Sequence, residues 1–379
     1  MRILYCIPSL YNPGGMERIL TDKINFLLDR SNIKVFVVTT DQMNRELFFE
    51  LHPKASVINL DLDFDSSFSV SMIKKYYAIK HKLKLYKHKL KEIIVQNKVD
   101  ICISTGGKEL EFLYKLNVDC KKAVEMHFAK EFRKQFLVAR KNNFIFSLLG
   151  DFRTKQLIKQ TSSLDAVVVL TEKDQKEWQK THHNIYQIYN FSPIKIHTKS
   201  NSKLKRAIAI GKLDAQKGFD LLIDAWFLKK TQLEEWTLDI FGQGEWKDML
   251  QKKIIDYQLQ DNIYLKGVTN NVEAELETSS LFLFSSRYEG FGLVLIEAMS
   301  VGLPIVSFDC PHGPSELVID NGLLVPPQNV EKFSEAIIKL TSDENLRVEM
   351  ANNGIERAKL FSQEYIMVQW INLFNQLIK

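Results

Sequence analysis

The stretch from Ser285 to Val306, SSRYEGFGLVLIEAMSVGLPIV, decides the fold. Just before it, Leu281 to Phe284 is an apolar run of the length and composition of a buried parallel strand. A polar loop with Gly290-Phe291-Gly292 follows, then an amphipathic stretch to about Ser300, then a second apolar run from Leu303 to Phe308. This is a strand–loop–helix–strand unit with its loop at the carboxyl end of a strand. Open α/β sheets bind their ligands there.

The loop carries chemistry. Glycines let the backbone approach a ligand closely. The amides of Phe291, Gly292 and Leu293 fall at the start of a helix, where phosphate binds. Glu289 lies just before that helix and Glu297 about a turn and a half inside it. Helical side chains lean toward the N-terminus, so Glu297 can reach back to the loop. Two carboxylates repel phosphate but grip hydroxyls, which points to a sugar. The plainer alternative makes Glu289 an ordinary loop carboxylate and Glu297 a solvated helix residue.

The segment Glu289-Gly-Phe-Gly-Leu-Val-Leu-Ile-Glu297 resembles the E-x7-E motif of the retaining glycosyltransferase family 4. The continuation GLPIVSFDCPHGPSELV and the later NGLLVPP resemble the same family, especially members that build capsular and exopolysaccharides. The resemblance runs from the loop near Gly14 to about residue 360. It is specific in the second half and looser between about residues 40 and 180. It implies the GT-B fold: two Rossmann-like α/β/α domains facing across a cleft. The expected division is 1–192 for an acceptor-binding domain, 193–362 for a nucleotide-sugar-binding domain, and 363–379 for a helix crossing back to the first domain.

A chain of 379 residues is comfortable for two such cores. Its 45% apolar and 26% charged content is that of a folded globular protein. No apolar run approaches the roughly 18 residues of a membrane span. The start, MRILYCIPSL, reads as a first strand rather than a signal peptide, because Pro8 and a glycine turn interrupt it. Cys6, Cys102, Cys120 and Cys310 form no C-x-x-C pair, so buried thiols in a reducing, cytoplasmic setting are expected and a metal site is not.

The net charge of +5 is unevenly spread. Residues 1–200 hold 33 Lys and Arg against 21 Asp and Glu (+12), and residues 201–379 hold 18 against 25 (−7). Ser71 to Val95 reads as a long helix, with Ile73, Tyr76, Ile79, Leu83, Tyr86, Leu90 and Ile93 at helical spacing. Lysines 74, 75, 80, 82, 84, 87, 89 and 91 crowd its other faces. Such a run is commonly a solvated face; here it points to an anionic membrane surface or a polyanionic substrate. Residues 130–160 add Phe132, Phe136, Phe144, Phe146 and Phe152 among Arg133, Lys134, Arg140, Lys141, Arg153 and Lys155. They suit either a helical pair packed on the first domain or a second membrane- or acceptor-facing element. Nucleic acid is not expected, since no binding module accompanies the charge.

Strand one, Arg2 to Ile7, leads into Asn12-Pro13-Gly14-Gly15-Met16-Glu17 and a helix. Alone, Gly14-Gly15 is a tight turn; by resemblance, Gly15 faces the donor phosphates and Glu17 the acceptor. Asp100 to Thr105 is a strand ending in Ser104-Thr105-Gly106-Gly107, whose Ser104 and Thr105 are acceptor-side candidates. Lys122 to Met126 ends at His127, a position matching a histidine that the family places beside the donor sugar. Asn190 matches an asparagine common in the family, and 192–203 has linker composition. The second domain opens with Ala207 to Ile210 and Gly211-Lys212-Leu213-Asp214-Ala215-Gln216-Lys217-Gly218, which resembles the family's G-R-L-x-x-x-K-G motif. Lys212 stands at the family's arginine; it supplies charge but not the bidentate fork. The loops at Gly242 and at Gly267-Val268 flank the nucleotide base by resemblance. His312 and Glu316 either serve the site or cap a helix.

The resemblance implies an enzyme that moves a hexose or N-acetylhexosamine from a UDP-sugar to a glycan, with retention and with a lipid-linked acceptor favoured by the basic first half. It would sit at the inner face of the cell membrane. His127, Lys212, Lys217 and Glu289 form the catalytic set. Gly15, Gly211, Lys212, Lys217, Gly242, Val268, Glu289, Gly290, Phe291, Gly292, Leu293 and Glu297 form the donor set. No cofactor or metal is expected: the D-x-D-like Asp61-Leu-Asp63-Phe-Asp65 lies outside the expected cleft. Two other classes stay open, a GT-B-type nucleotide-sugar 2-epimerase and a non-catalytic nucleotide-sugar-binding module.

Overall fold

A computed structural model describes residues 1–30, 32–64, 72–130, 144–196 and 202–379. Asp65, Ser71, Phe132, Arg133, Lys134, Phe136, Arg140 and Lys141, singled out above, lie outside them. The chain divides into two compact units. One holds Met1–His127, Phe152–Tyr189 and Ile366–Lys379; the other holds Phe128–Asp151 and Asn190–Tyr365.

The first unit is built on strands β1 (Arg2–Ile7), β2 (Lys34–Thr39), β3 (Ser56–Asn59), β4 (Ile101–Ser104), β5 (Lys121–Met126), β6 (Ala166–Val169) and β7 (Ile185–Gln187). They form one parallel sheet in the order β3-β2-β1-β4-β5-β6-β7. The second unit uses β8 (Arg206–Ile210), β9 (Thr237–Phe241), β10 (Ile263–Gly267), β11 (Leu281–Phe284), β12 (Ile305–Phe308) and β13 (Gly322–Val325). Their parallel order is β10-β9-β8-β11-β12-β13. In both sheets the order reverses beside the first strand, the doubly wound arrangement of Rossmann-like domains. The switch points are β1/β4 and β8/β11. All four residues of β4, β6, β11 and β12 are buried, which is why they read as unbroken apolar runs.

Three expectations about elements need correction. The strand expected from Leu303 begins at Ile305, because Pro304 has no N–H for the ladder; its carbonyl accepts from Phe282 N at 3.0 Å instead. In the long helix Met72–Gln96, Tyr76 is 54% exposed, and the packed stripe is Leu83, Tyr86, Leu90, Ile93 and Ile94. Glu297 is the fifth residue of the helix Leu293–Ser300, little more than one turn in. The last helix, Gln363–Ile378, buries Ile366, Met367, Trp370, Leu373, Phe374 and Leu377 on one face, and its Gln376 Nε2 donates to Tyr186 Oη at 3.2 Å in the first unit's sheet. Among the described residues, no helix is long and apolar enough to cross a membrane.

Candidate active site

The second unit brings its two motif loops together at the β8/β11 switch point. Lys217 Nζ lies 2.6 Å from Glu289 Oε1. Their side chains are 19% and 7% exposed, so the pair is nearly dry on the protein side. Gln216 Nε2 reaches Tyr288 O at 3.1 Å and Glu289 Oε2 at 3.5 Å. Ser285 Oγ donates to Lys217 O at 2.9 Å. Arg287 locks the two loops with a bidentate pair to Asp220 (2.8 and 2.6 Å) and a bond to Ala215 O. Lys217 is therefore held by backbone and side chain, while its ammonium stays at the strand ends.

Two glycines are required here for stated reasons. The methylene stem of Lys217 crosses Gly211, and a Cβ there would sit 3.0 Å from Lys217 Cγ. Gly242 has φ of 144°, and a Cβ would come within 1.8 Å of Gly211 O. Only glycine lets the β9 loop close on the β8 loop this tightly. Gly242 N donates to Gly267 O at 2.8 Å, which chains the β8, β9 and β10 loops into one rim.

Gly292 precedes the helix Leu293–Ser300 and carries no side chain to cap it. The start of a helix is where anions commonly bind, and this one follows Glu289 by four residues. Phe291 is buried and packs edge-on against Phe361, which anchors the loop. Gly290 and Glu297 are half-buried, and Val268 presents an apolar side chain that is 46% exposed at the end of β10. Cys310 lies buried near Glu289; burial first, then the Glu289 charge, pushes its thiol well above the ordinary range. His312 is buried and has positive φ of 64°, just ahead of the short helix Pro314–Leu317 that contains Glu316.

Lys212 stands apart from this group. Its side chain is 71% exposed, and its nearest acid is Asp214 at 3.6 Å. The loop places one lysine of the motif in the site and leaves the other in solvent.

In the first unit, Gly15 begins the helix Gly15–Arg30 and is exposed. Glu17 folds back instead: it is buried, takes a 3.4 Å bond from Asn12 Nδ2, and lies against Gly14. Ser104 and Thr105 are also turned inward. Ser104 Oγ donates to the buried Glu109 and accepts from Gly106 N, and Thr105 Oγ1 donates to Cys6 O at 3.0 Å. Asp61 bonds Met43 N and so shapes a turn. His127 directly follows β5 with a side chain only 6% exposed, and burial pushes its pKa below the ordinary value.

Sequence reasoning passed over Arg287, Gln216, Lys23 and Glu125. Arg287 was findable as the one cation in the polar loop between Phe284 and the helix. Lys23 and Glu125 were findable as charges at positions the helix and strand periods assign to the core.

Residues 191–357 match the family model of the glycosyl transferases group 1. A poly(glycerol-phosphate) alpha-glucosyltransferase from Bacillus subtilis is 33% identical over 60% of this chain and 35% of its own length. A poly(ribitol-phosphate) alpha-N-acetylglucosaminyltransferase from Staphylococcus aureus is 30% identical over 78% of this chain and 59% of its own. The chain thus spans about a third of the length of the first of these curated relatives and under two thirds of the second. Among solved structures, a mutant of S. aureus TarM in complex with fondaparinux, alpha-GlcNAc-glycerol and UDP matches with a TM-score of 0.82 at 20% identity, over 99% of both chains. The fold is that of the GT-B glycosyltransferases, and the family match falls on the unit that carries Lys217 and Glu289.

Proposed function

We propose that the chain, whose second unit carries the group 1 glycosyltransferase signature, is a retaining hexosyl- or N-acetylhexosaminyltransferase of cell-surface glycan synthesis. Its donor is a UDP-sugar and its acceptor a hydroxyl of an anionic, lipid-linked glycan. The carrying observation is the Lys217–Glu289 pair beside the helix start at Leu293, where charge and hydroxyl recognition meet. The relatives' alpha-transfers onto poly(alditol phosphate) acceptors support the sugar, the anionic acceptor and retention. The basic face of Met72–Gln96, with Tyr76 and Tyr77 more than half exposed among its lysines, supports peripheral contact with an anionic membrane.

In this reading the amides of Phe291 to Leu293 and the Lys217 ammonium take the diphosphate. Preorganised donors aimed at developing charge are the largest single aid to such a step. Glu289 holds a sugar hydroxyl and Glu297 the ribose; the loops at Gly242 and Val268 flank the base. Gly15 and His127 are assigned to the sugar by resemblance alone. Lys212, far more exposed, adds only long-range charge. The bond from the anomeric carbon to the diphosphate oxygen breaks, and the bond to the acceptor oxygen forms on the same face. The acceptor proton passes to the departing phosphate oxygen, and no metal is used.

A donor panel tests this. The protein is incubated with UDP-, GDP- and ADP-sugars and membrane lipid extract, with EDTA present, and nucleotide release is measured. Release of UDP from one sugar only with lipid present is expected. Release that requires added Mg²⁺ or Mn²⁺ would sink the metal-free mechanism. A new epimer formed from UDP-N-acetylglucosamine alone would replace transfer with isomerisation.

A further inference from the structure

We propose that Lys23 and Glu125 are positioning residues that set the tautomer and charge of His127, with Trp370 of the last helix holding the pair in place. The inference rests on the reading of His127 as a sugar-side residue.

The three groups form one buried cluster inside the first unit. Glu125 stands two residues before His127, and its Oε1 lies 3.5 Å from His127 Nε2. The same oxygen is 2.6 Å from Lys23 Nζ, and both of those side chains are 1% exposed. Lys23 comes from the helix Gly15–Arg30. Its Nζ sits 3.6 Å from the centroid of the Trp370 ring, so its remaining face is covered by a cation–π contact.

Stability does not account for this arrangement. Burying an ion pair costs about as much as the pair returns, and apolar residues of similar volume do as well or better. Three buried atoms around the pair, Glu125 Oε2, His127 Nε2 and Tyr5 Oη, have no hydrogen-bond partner among the described residues. Cores built for stability satisfy such atoms, and departures concentrate at functional sites.

The charges around the imidazole are legible. Burial holds His127 below its ordinary pKa, Glu125 pulls the other way, and Lys23 pushes down again. Tyr5, from β1, is the other titratable group beside Glu125 and stays neutral, since burial drives its pKa well up. The ion pair therefore presents little net charge to the imidazole, which remains neutral. Glu125 Oε1, 3.5 Å from Nε2 and not hydrogen-bonded to it, favours the proton there through its charge and leaves the lone pair on Nδ1. His127 then meets a sugar hydroxyl as an acceptor.

Histidine NMR of the full chain tests this, with His127→Asn identifying the signal. Lys23→Met is expected to raise the titration midpoint of His127 by about one unit, and Glu125→Gln to lower it by a similar amount. The double variant Lys23→Met/Glu125→Gln removes both charges without leaving either one buried alone. It is expected to keep the midpoint within about half a unit of the parent and to lose the Nε2–H preference. Glu125→Gln should also reduce kcat for nucleotide release about tenfold with KM within about twofold. If the single variants do not fold, the double variant decides alone. An unchanged midpoint and tautomer in every folded variant overturns the proposal. A shifted tautomer with unchanged kcat keeps the positioning role and instead removes His127 from the transfer step.

Discussion

The two sheets share a strand order yet use their switch points differently. At β8/β11 side chains from two different loops meet: Lys217 pairs with Glu289, and a helix start without a side-chain cap follows in the Glu289 loop. At β1/β4 the polar side chains bond close by instead: Glu17 takes a bond from Asn12, Ser104 donates to Glu109, and Thr105 donates to Cys6 O of β1. The same topology thus carries an ion pair between two loops at one switch point and short-range hydrogen bonds at the other. Topology marks where a ligand can bind, and the direction of the side chains decides whether the place is equipped for one.

The largest test of that contrast is within the equipped loop. Lys217→Ala should lower the rate of nucleotide release by about 10²–10³, the effect of removing one preorganised donor. Lys212→Ala, at an exposed position, should cost less than about fivefold, in keeping with weak solvent-screened charge. Equal losses at the two lysines would show that the 71% exposure of Lys212 does not describe the donor-bound state.

Next in size is the rim itself. Gly242→Val puts a branched side chain where a Cβ already meets Gly211 O at 1.8 Å. The cost is about 3 kcal/mol, read as a lower urea midpoint, with UDP affinity falling alongside. Unchanged affinity in a destabilised protein would detach the β9 loop from the site.

Smaller still is Ser104→Ala. It removes one donor from the buried Glu109 carboxylate, leaving Gly107 N at 3.1 Å and Tyr86 Oη at 3.2 Å. A loss of about 1–3 kcal/mol in stability with an unaltered acceptor KM is expected. A raised acceptor KM at full stability would return this hydroxyl to acceptor binding.

These contrasts mark what the sequence made legible. Apolar runs such as Leu281 to Phe284 announced the central strands, because a strand covered on both faces has no polar position to confuse it. Lys217 and Glu289 were each singled out from a motif, but their ion pair was not legible, since it depends on β8 and β11 lying side by side. Inward or outward direction was not legible at Glu17 or Ser104, since it depends on backbone turns and on partners such as Glu109, five residues on from Ser104. Tyr76 misled because helical spacing continues past the end of the surface a helix covers. The short strand Gly322–Val325 was hidden within a segment read only for its resemblance. Lys23 and Glu125 were invisible as a pair because 102 residues separate them.

The smallest effect concerns Glu17, and its sign is the informative part. The helix start at Gly15 favours a carboxylate, as does the bond from Asn12, but burial outweighs both and raises the Glu17 pKa. A carboxyl whose folded pKa lies above its unfolded value stabilises the fold fully below the unfolded value. That contribution is lost as pH rises through the folded one. Glu17→Gln has no proton to lose, so its stability relative to the parent should improve between pH 4 and pH 7. Urea midpoints at the two pH values measure it. Glu109, also raised by burial, titrates in both proteins and cancels in the difference. A difference that stays constant with pH would mean that Glu17 is solvated in solution rather than buried, and the description of the β1/β4 switch point would fail at this residue.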